Sequence, residues 1–148
     1  MVRGVLGVLL LAMTACTTPR PQHFVAEPWP VADALFQQDP HWLGGDAVYS
    51  VDLGRERTLW LFGDSFVATG EQRDRRAPVM VRNTIAVQHG YQPATAKVQF
   101  GWRIGDDGKP APFFGNHDAE GYWPLHGIRL AGGPLLLWQM RVRNTPGQ

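Results

Sequence analysis

Two aspartates and a serine within one short stretch are the residues best suited to chemistry. Residues 44–66 read GGDAVYSVDLGRERTLWLFGDSF. Asp46 stands at the start of one candidate strand and Asp64 just past the end of the next. Carboxylates at strand ends stay close to water, so their charge costs little, and they are well placed to line a pocket. Gly63-Asp64-Ser65-Phe66 opens a second reading, with Ser65 as nucleophile. A hydroxyl with no base beside it is a weak nucleophile.

The elements that must position these groups are strands. In residues 47–53, Tyr49, Val51 and Leu53 share one face and Ser50 and Asp52 the other, the period-2 pattern of a half-buried strand. Residues 54–57 form a polar turn. Thr58-Leu59-Trp60-Leu61-Phe62 is continuously apolar, as expected of a strand buried on both faces. Residues 79–88, rich in β-branched side chains, make a third strand and residues 97–104 a fourth. Gly105-Asp106-Asp107-Gly108 is a turn. No segment holds a sustained helical period, although residues 31–38 allow one short helical turn capping the fold. Four strands with short connections predict an antiparallel meander. A further strand pair, residues 128–130 and 134–140, surrounds Ala131-Gly132-Gly133, and Val81-Arg82-Asn83-Thr84 recurs after it as Val142-Arg143-Asn144-Thr145. Repeated four-stranded meanders suggest propeller blades. The 148 residues hold one blade and part of a second. That is short of the ~4–8 blades of a propeller. The chain reads as truncated, the favoured case, or as a small sandwich.

The N-terminal stretch is read as address rather than fold. Residues 1–16 place Arg3 before a short apolar run and small residues before a cysteine. The run falls short of the ~20 residues of a membrane-spanning helix and has the shape of an export signal. Met13-Thr14-Ala15-Cys16 resembles a bacterial lipobox, which makes Cys16 a lipidation site and the cell envelope the expected location. Cys16 is the only cysteine, so no disulfide is expected. Residues 17–38, proline-rich at first, read as a tether, leaving residues 39–148 as the domain. A net charge of +1 gives no case for nucleic acid. Arg73, Arg75 and Arg76 read as a solvated loop.

Two family resemblances follow from the motifs. Leu61-Phe62-Gly63-Asp64-Ser65-Phe66 resembles the nucleophile block of the GDSL-type esterases. That family requires an Asp-x-x-His, which the chain lacks, and a helix after the serine, where Gly70 and Pro78 stand instead. The broader resemblance runs through Trp42-Leu43-Gly44-Gly45-Asp46, Tyr49-Ser50, residues 58–66, Val81-Arg82-Asn83-Thr84 and Tyr122-Trp123-Pro124-Leu125-His126-Gly127. In this order they resemble the five-bladed β-propeller proteins of the uncharacterised "domain 4185" type, related in architecture to the arabinanase and fructosidase propellers. Some members are endo-acting D-arabinanases.

The resemblance implies an axial pocket lined by acids of the inner strands. Glycoside cleavage needs one carboxylic acid to protonate the leaving oxygen and one carboxylate as base or nucleophile. Asp46 and Asp64 are the expected pair, with turn capping as the structural alternative for Asp64. Arg82 and Asn83 on the third strand, and Trp123 and His126 in the Trp-Pro-Leu-His-Gly loop, are the expected substrate contacts. Salt bridging and packing are the alternatives. Asn116, His117, Asp118 and Glu120 have metal-ligand chemistry, but their spacing matches no established site and a solvated loop is expected. Neither metal nor cofactor is called for. The expected function is an exported lipoprotein acting on or binding a glycan, in particular a furanose-rich polysaccharide such as arabinan. The expected partners are a polysaccharide or oligosaccharide and, through the lipid, a membrane. The competing class is a non-catalytic carbohydrate-binding or surface-scaffold lipoprotein.

Overall fold

The computed structural model describes residues 24–70, 73–115 and 120–143. The export segment, Cys16, Asn116, His117, Asp118 and Asn144-Thr145 lie outside these residues. One short helix, α1 (Pro30–Leu35), precedes eleven strands among the described residues. In chain order they are β1 (Trp42–Gly45), β2 (Tyr49–Asp52), β3 (Arg57–Phe62), β4 (Ser65–Val67), β5 (Val79–Val81), β6 (Thr84–His89), β7 (Lys97–Gly101), β8 (Arg103–Ile104), β9 (Pro110–Ala111), β10 (Glu120–Arg129) and β11 (Leu135–Arg143). Every pairing is antiparallel. The fold is all-β, as the alternation of the sequence predicts.

The central sheet is a four-stranded meander in the order β2-β3-β6-β7. Its second strand explains why TLWLF is apolar throughout. Successive side chains of a strand point to opposite faces, and here each face meets its own core. Trp60 and Phe62 join Leu35, Trp42, Ala86, Ala96 and Val98 on one side. Leu59 and Leu61 join Val51 on the other, against Ile85, Val87, Phe114 and Leu137. The first core is aromatic: Trp42 stacks on Phe100 with ring centroids 4.5 Å apart, and Phe36 stands edge-on to Trp60 at 5.1 Å. Gln38 adds a polar tie, donating to the Ala96 carbonyl and accepting from the Val98 N–H, both at 3.1 Å. Among the described residues the packing thus includes Leu35 of α1 and Phe36, ahead of Asp39.

Two expected strands are each divided. Residues 79–88 split at Arg82-Asn83, β5 pairing with β4 in a three-stranded sheet with β1 while β6 enters the central sheet. Residues 97–104 split at Trp102, and β8 pairs with β9 around the predicted Gly-Asp-Asp-Gly turn. The hairpin expected around residues 131–133 is longer than its sequence suggests. Tyr122-Trp123-Pro124-Leu125-His126-Gly127, read as a loop, belongs to β10. Proline cannot donate to a ladder and is confined to edges and bulges. Here the register shifts between Pro124 and His126, and that bulge admits the proline.

Candidate functional site

Asp46 and Asp64 meet where β1 runs alongside the corner between β3 and β4. The Asp46 N–H donates to the Asp64 carbonyl at 3.0 Å, and the Gly63 N–H donates to the Asp46 carbonyl at 2.9 Å. These bonds extend the β1–β4 ladder, in which Gly45 faces Ser65. Both aspartates line one cleft of about 440 Å³ with Leu43, Phe66, Arg75 and Met80. Asp46 is exposed and Asp64 half-buried. From β10 the Trp123 indole N–H donates to Asp64 Oδ1 at 2.9 Å, which fixes that carboxylate. Gly63 makes room for the other, since a Cβ there would come within 2.6 Å of Asp46 Oδ1. Two carboxylates facing one cleft can supply general acid–base chemistry or accept hydrogen bonds from hydroxyls. Phe66 and Met80, 45% and 56% exposed, give the rim apolar surface.

The other expected contacts are distributed. Arg82 lies across Gly121, so closely that a Cβ there would push the arginine side chain aside. It lines a second cleft of about 510 Å³ with Arg103, Asp106 and Glu120, which shares Met80 with the first. Glu120 is gripped by Arg141 and Arg143, with Nε of Arg141 at 2.8 Å and Nη2 of Arg143 at 2.6 Å. These two guanidiniums hold its carboxyl down to about 2. Asn83 is completely buried. Its amide donates to the carbonyls of Phe114 at 3.1 Å and Tyr122 at 2.6 Å and accepts from the Phe114 N–H at 2.7 Å. It is engaged in the frame, tying the β5–β6 corner to the preceding loop of β10. His126 is exposed just after the bulge, its ring 6.3 Å from that of Tyr49, and it lines neither of these clefts.

Ser65 sits on a strand, not at a helix start, and is wholly buried. Its hydroxyl donates to the Gly63 carbonyl at 2.9 Å and shares a 2.9 Å hydrogen bond with Thr84, which also accepts from the Trp42 indole. This is a structural chain of hydroxyls with no imidazole in it. Among the described residues no three His, Cys, Asp or Glu side chains gather as metal ligands. Arg75, read as part of a solvated loop, instead folds back, donating to the Leu43 carbonyl at 2.9 Å at the edge of the first cleft. Its neighbour Arg76 does pair in solvent with Asp74. Nothing in the spacing of the three arginines distinguishes them.

A family described as a domain of unknown function (DUF5005) matches residues 32–148. No curated protein matches the chain. The fold is similar to a crystal structure described as "a putative hydrolase from Bacteroides ovatus", with a TM-score of 0.61 and 21% identity over 78% of this chain. The match covers 34% of that protein, so this chain spans about a third of its length. The likeness is one of fold.

Proposed function

The chain belongs to the DUF5005 family of domains of unknown function, and from that premise we propose that it is a hydrolase-like β-domain whose Asp46–Asp64 cleft receives a glycan. One observation carries the reading: two carboxylates, one just past the end of β1 and one at the β3–β4 corner, braced backbone to backbone, open into a single cleft with an apolar rim. In this reading one carboxyl group protonates the glycosidic oxygen as the bond to the anomeric carbon breaks. The other activates the attacking water or attacks itself. Trp123 is a positioning residue for Asp64. Arg82 serves the adjoining cleft, and the sugar is of the furanose-rich kind. The central meander and the packed hairpin are the first blade and a half of a five-bladed propeller. Cys16 carries lipid that holds the chain at the bacterial envelope. Binding without cleavage is the second reading. It is favoured by the apolar rim, since Phe66 and Met80 offer surface to a sugar face whether or not a bond is broken.

The full chain, extracted from bacterial membranes, is to be incubated with arabinan. Bound polysaccharide is followed by affinity electrophoresis and cleavage by release of reducing ends. The expected result is retarded migration with turnover, Asp46→Asn abolishing turnover but not retardation. Retardation without turnover in the parent chain selects the binding reading. Migration unaffected by arabinan and by other furanose polymers removes the glycan proposal. The same preparation tests the anchor: Cys16→Ser is expected to release the chain from the membrane, and its retention would remove the lipid.

A further inference from the structure

We infer that Ser65 is a positioning residue for the Asp46–Asp64 pair, a role that rests on the function proposed for their cleft. The direction of each bond in the chain through Ser65 follows from its two ends. An indole N–H can only donate and a backbone carbonyl can only accept. Ser65 has one hydroxyl proton, and it goes to the Gly63 carbonyl at 2.9 Å. The 2.9 Å bond between the two hydroxyls therefore takes its proton from Thr84. Thr84 in turn accepts from the Trp42 indole at 3.0 Å. The order is Trp42 to Thr84 to Ser65 to Gly63. All three side chains are buried, so water does not compete for these groups, and aligned bonds of this kind strengthen one another.

The chain of bonds ends on the peptide that carries Asp64. A peptide unit is planar, so holding the Gly63 carbonyl also orients the Asp64 N–H and Cα. The peptides on either side are held by Asp46. The Gly63 N–H donates to the Asp46 carbonyl at 2.9 Å, and the Asp64 carbonyl accepts from the Asp46 N–H at 3.0 Å. Three successive peptide units are thus gripped, and the middle grip comes from Ser65.

The approach to Asp46 leans on the same hydroxyl. A Cβ at Gly45 would stand 2.7 Å from Ser65 Oγ. On the other side of Asp46, Ala47 has φ 45°, in the left-handed region that residues other than glycine seldom adopt. A strained corner of this kind persists where its surroundings over-determine it. Ser65 therefore bears on both acids, on Asp64 by a hydrogen bond to its peptide and on Asp46 by packing under the preceding glycine.

The Trp123 indole N–H donates to the Asp64 carboxylate and so reports its position. The full chain in detergent micelles, isotope-labelled at tryptophan nitrogen, is to be examined by magnetic resonance, Trp123→Phe identifying the signal. Ser65→Ala is expected to move that signal upfield and to speed exchange of the indole proton. Thr84→Val keeps the shape and removes the donor to Ser65, and is expected to move it the same way. Thr84→Ser keeps the donor and is expected to leave it in place. Val87→Ala, on the opposite face of β6, is the control for lost stability and is also expected to leave it in place. Misplacing a reacting group by ~1 Å costs up to about a hundredfold in rate. On arabinan, Ser65→Ala is accordingly expected to lower kcat by about tenfold or more while KM changes by less than about threefold. An inactive parent chain removes the proposed function, and the positioning role then stands or falls on the indole signal. That signal unmoved in Ser65→Ala, moved equally by Val87→Ala, or kcat unchanged from an active parent would each overturn the inference. Should Ser65→Ala fail to fold, equal signals from Thr84→Val and Thr84→Ser would overturn it.

Discussion

Asn83 accepts one hydrogen bond and donates two from a side chain with no exposure to water, and all three partners are backbone groups, two on Phe114 and one on Tyr122 of β10. Removing one member of such a set leaves the others buried and unmatched, at about 1–3 kcal/mol per group. Asn83→Ala is therefore expected to destabilise the chain by about 2–4 kcal/mol, read as a lower urea midpoint with an unchanged slope. A loss below about 0.5 kcal/mol, the usual range of surface substitutions, would show that the amide is not structural. The contrast with Asp46 and Asp64 shows what the sequence conveys at this scale. Those acids were readable because each stands at a strand end beside glycine, where alternation stops and a carboxylate can reach water. Asn83 gave the same kind of signal, a polar residue within a strand pattern. No local pattern shows that the strand breaks there and that a loop some thirty residues onward closes over it. Arg75 was lost for a related reason, since its partner is a backbone carbonyl on β1.

The β10–β11 hairpin is held at its open end by charge. Glu120 begins β10 opposite Arg143, and Arg141 is two pairs further along, on the same face. Both guanidiniums lower the Glu120 carboxyl from its usual 4.5 to about 2. The folded chain then binds that proton less readily than the unfolded one. The group contributes stability above about pH 4.5, and this is lost as pH falls from there through about 2. The unfolding midpoint is expected to decline over that window and Glu120→Gln to flatten the decline. The cluster is solvent-accessible, so added salt should flatten it as well. An acid limb identical in the parent and the variant would assign it to other carboxylates. The strands themselves were largely visible in the sequence: alternation marked β2, the apolar run β3, and glycines the turn between β10 and β11. The obscured points are those where a strand changes sheet, at Arg82-Asn83 and Trp102, and where proline enters β10. A residue pattern records which face is buried but not which neighbour supplies the hydrogen bonds, and a bulge lets proline occupy a position the pattern reads as loop.

The whole molecule is built as layers, and one glycine controls how two of them meet. The hairpin lies on the central sheet, Leu137 reaching the core formed by Val51, Leu59 and Leu61. At Gly127 the sheets come into direct contact: a Cβ there would stand 2.5 Å from Leu137 Cδ2, 2.9 Å from the Leu136 carbonyl and 3.0 Å from Val51 Cγ2. The leucine methyl can rotate away, but the carbonyl belongs to the ladder and Val51 is fixed in the core. An added methyl must therefore separate the layers, and overpacking of this kind costs about 1–3 kcal/mol. Gly127→Ala is expected to lower stability by that amount and to speed exchange of β10 and β11 amides more than those of β3 and β6. The central sheet keeps its second core, around Trp42 and Phe62, on its opposite face. Displacement of the hairpin also carries Trp123 away from Asp64, since β10 bears both residues 123 and 127. If the cleft receives arabinan as proposed, the same variant weakens that retention even where the fold survives. Uniform acceleration of exchange across both sheets would instead mean that the layers unfold as one unit, with no separable docking step between them.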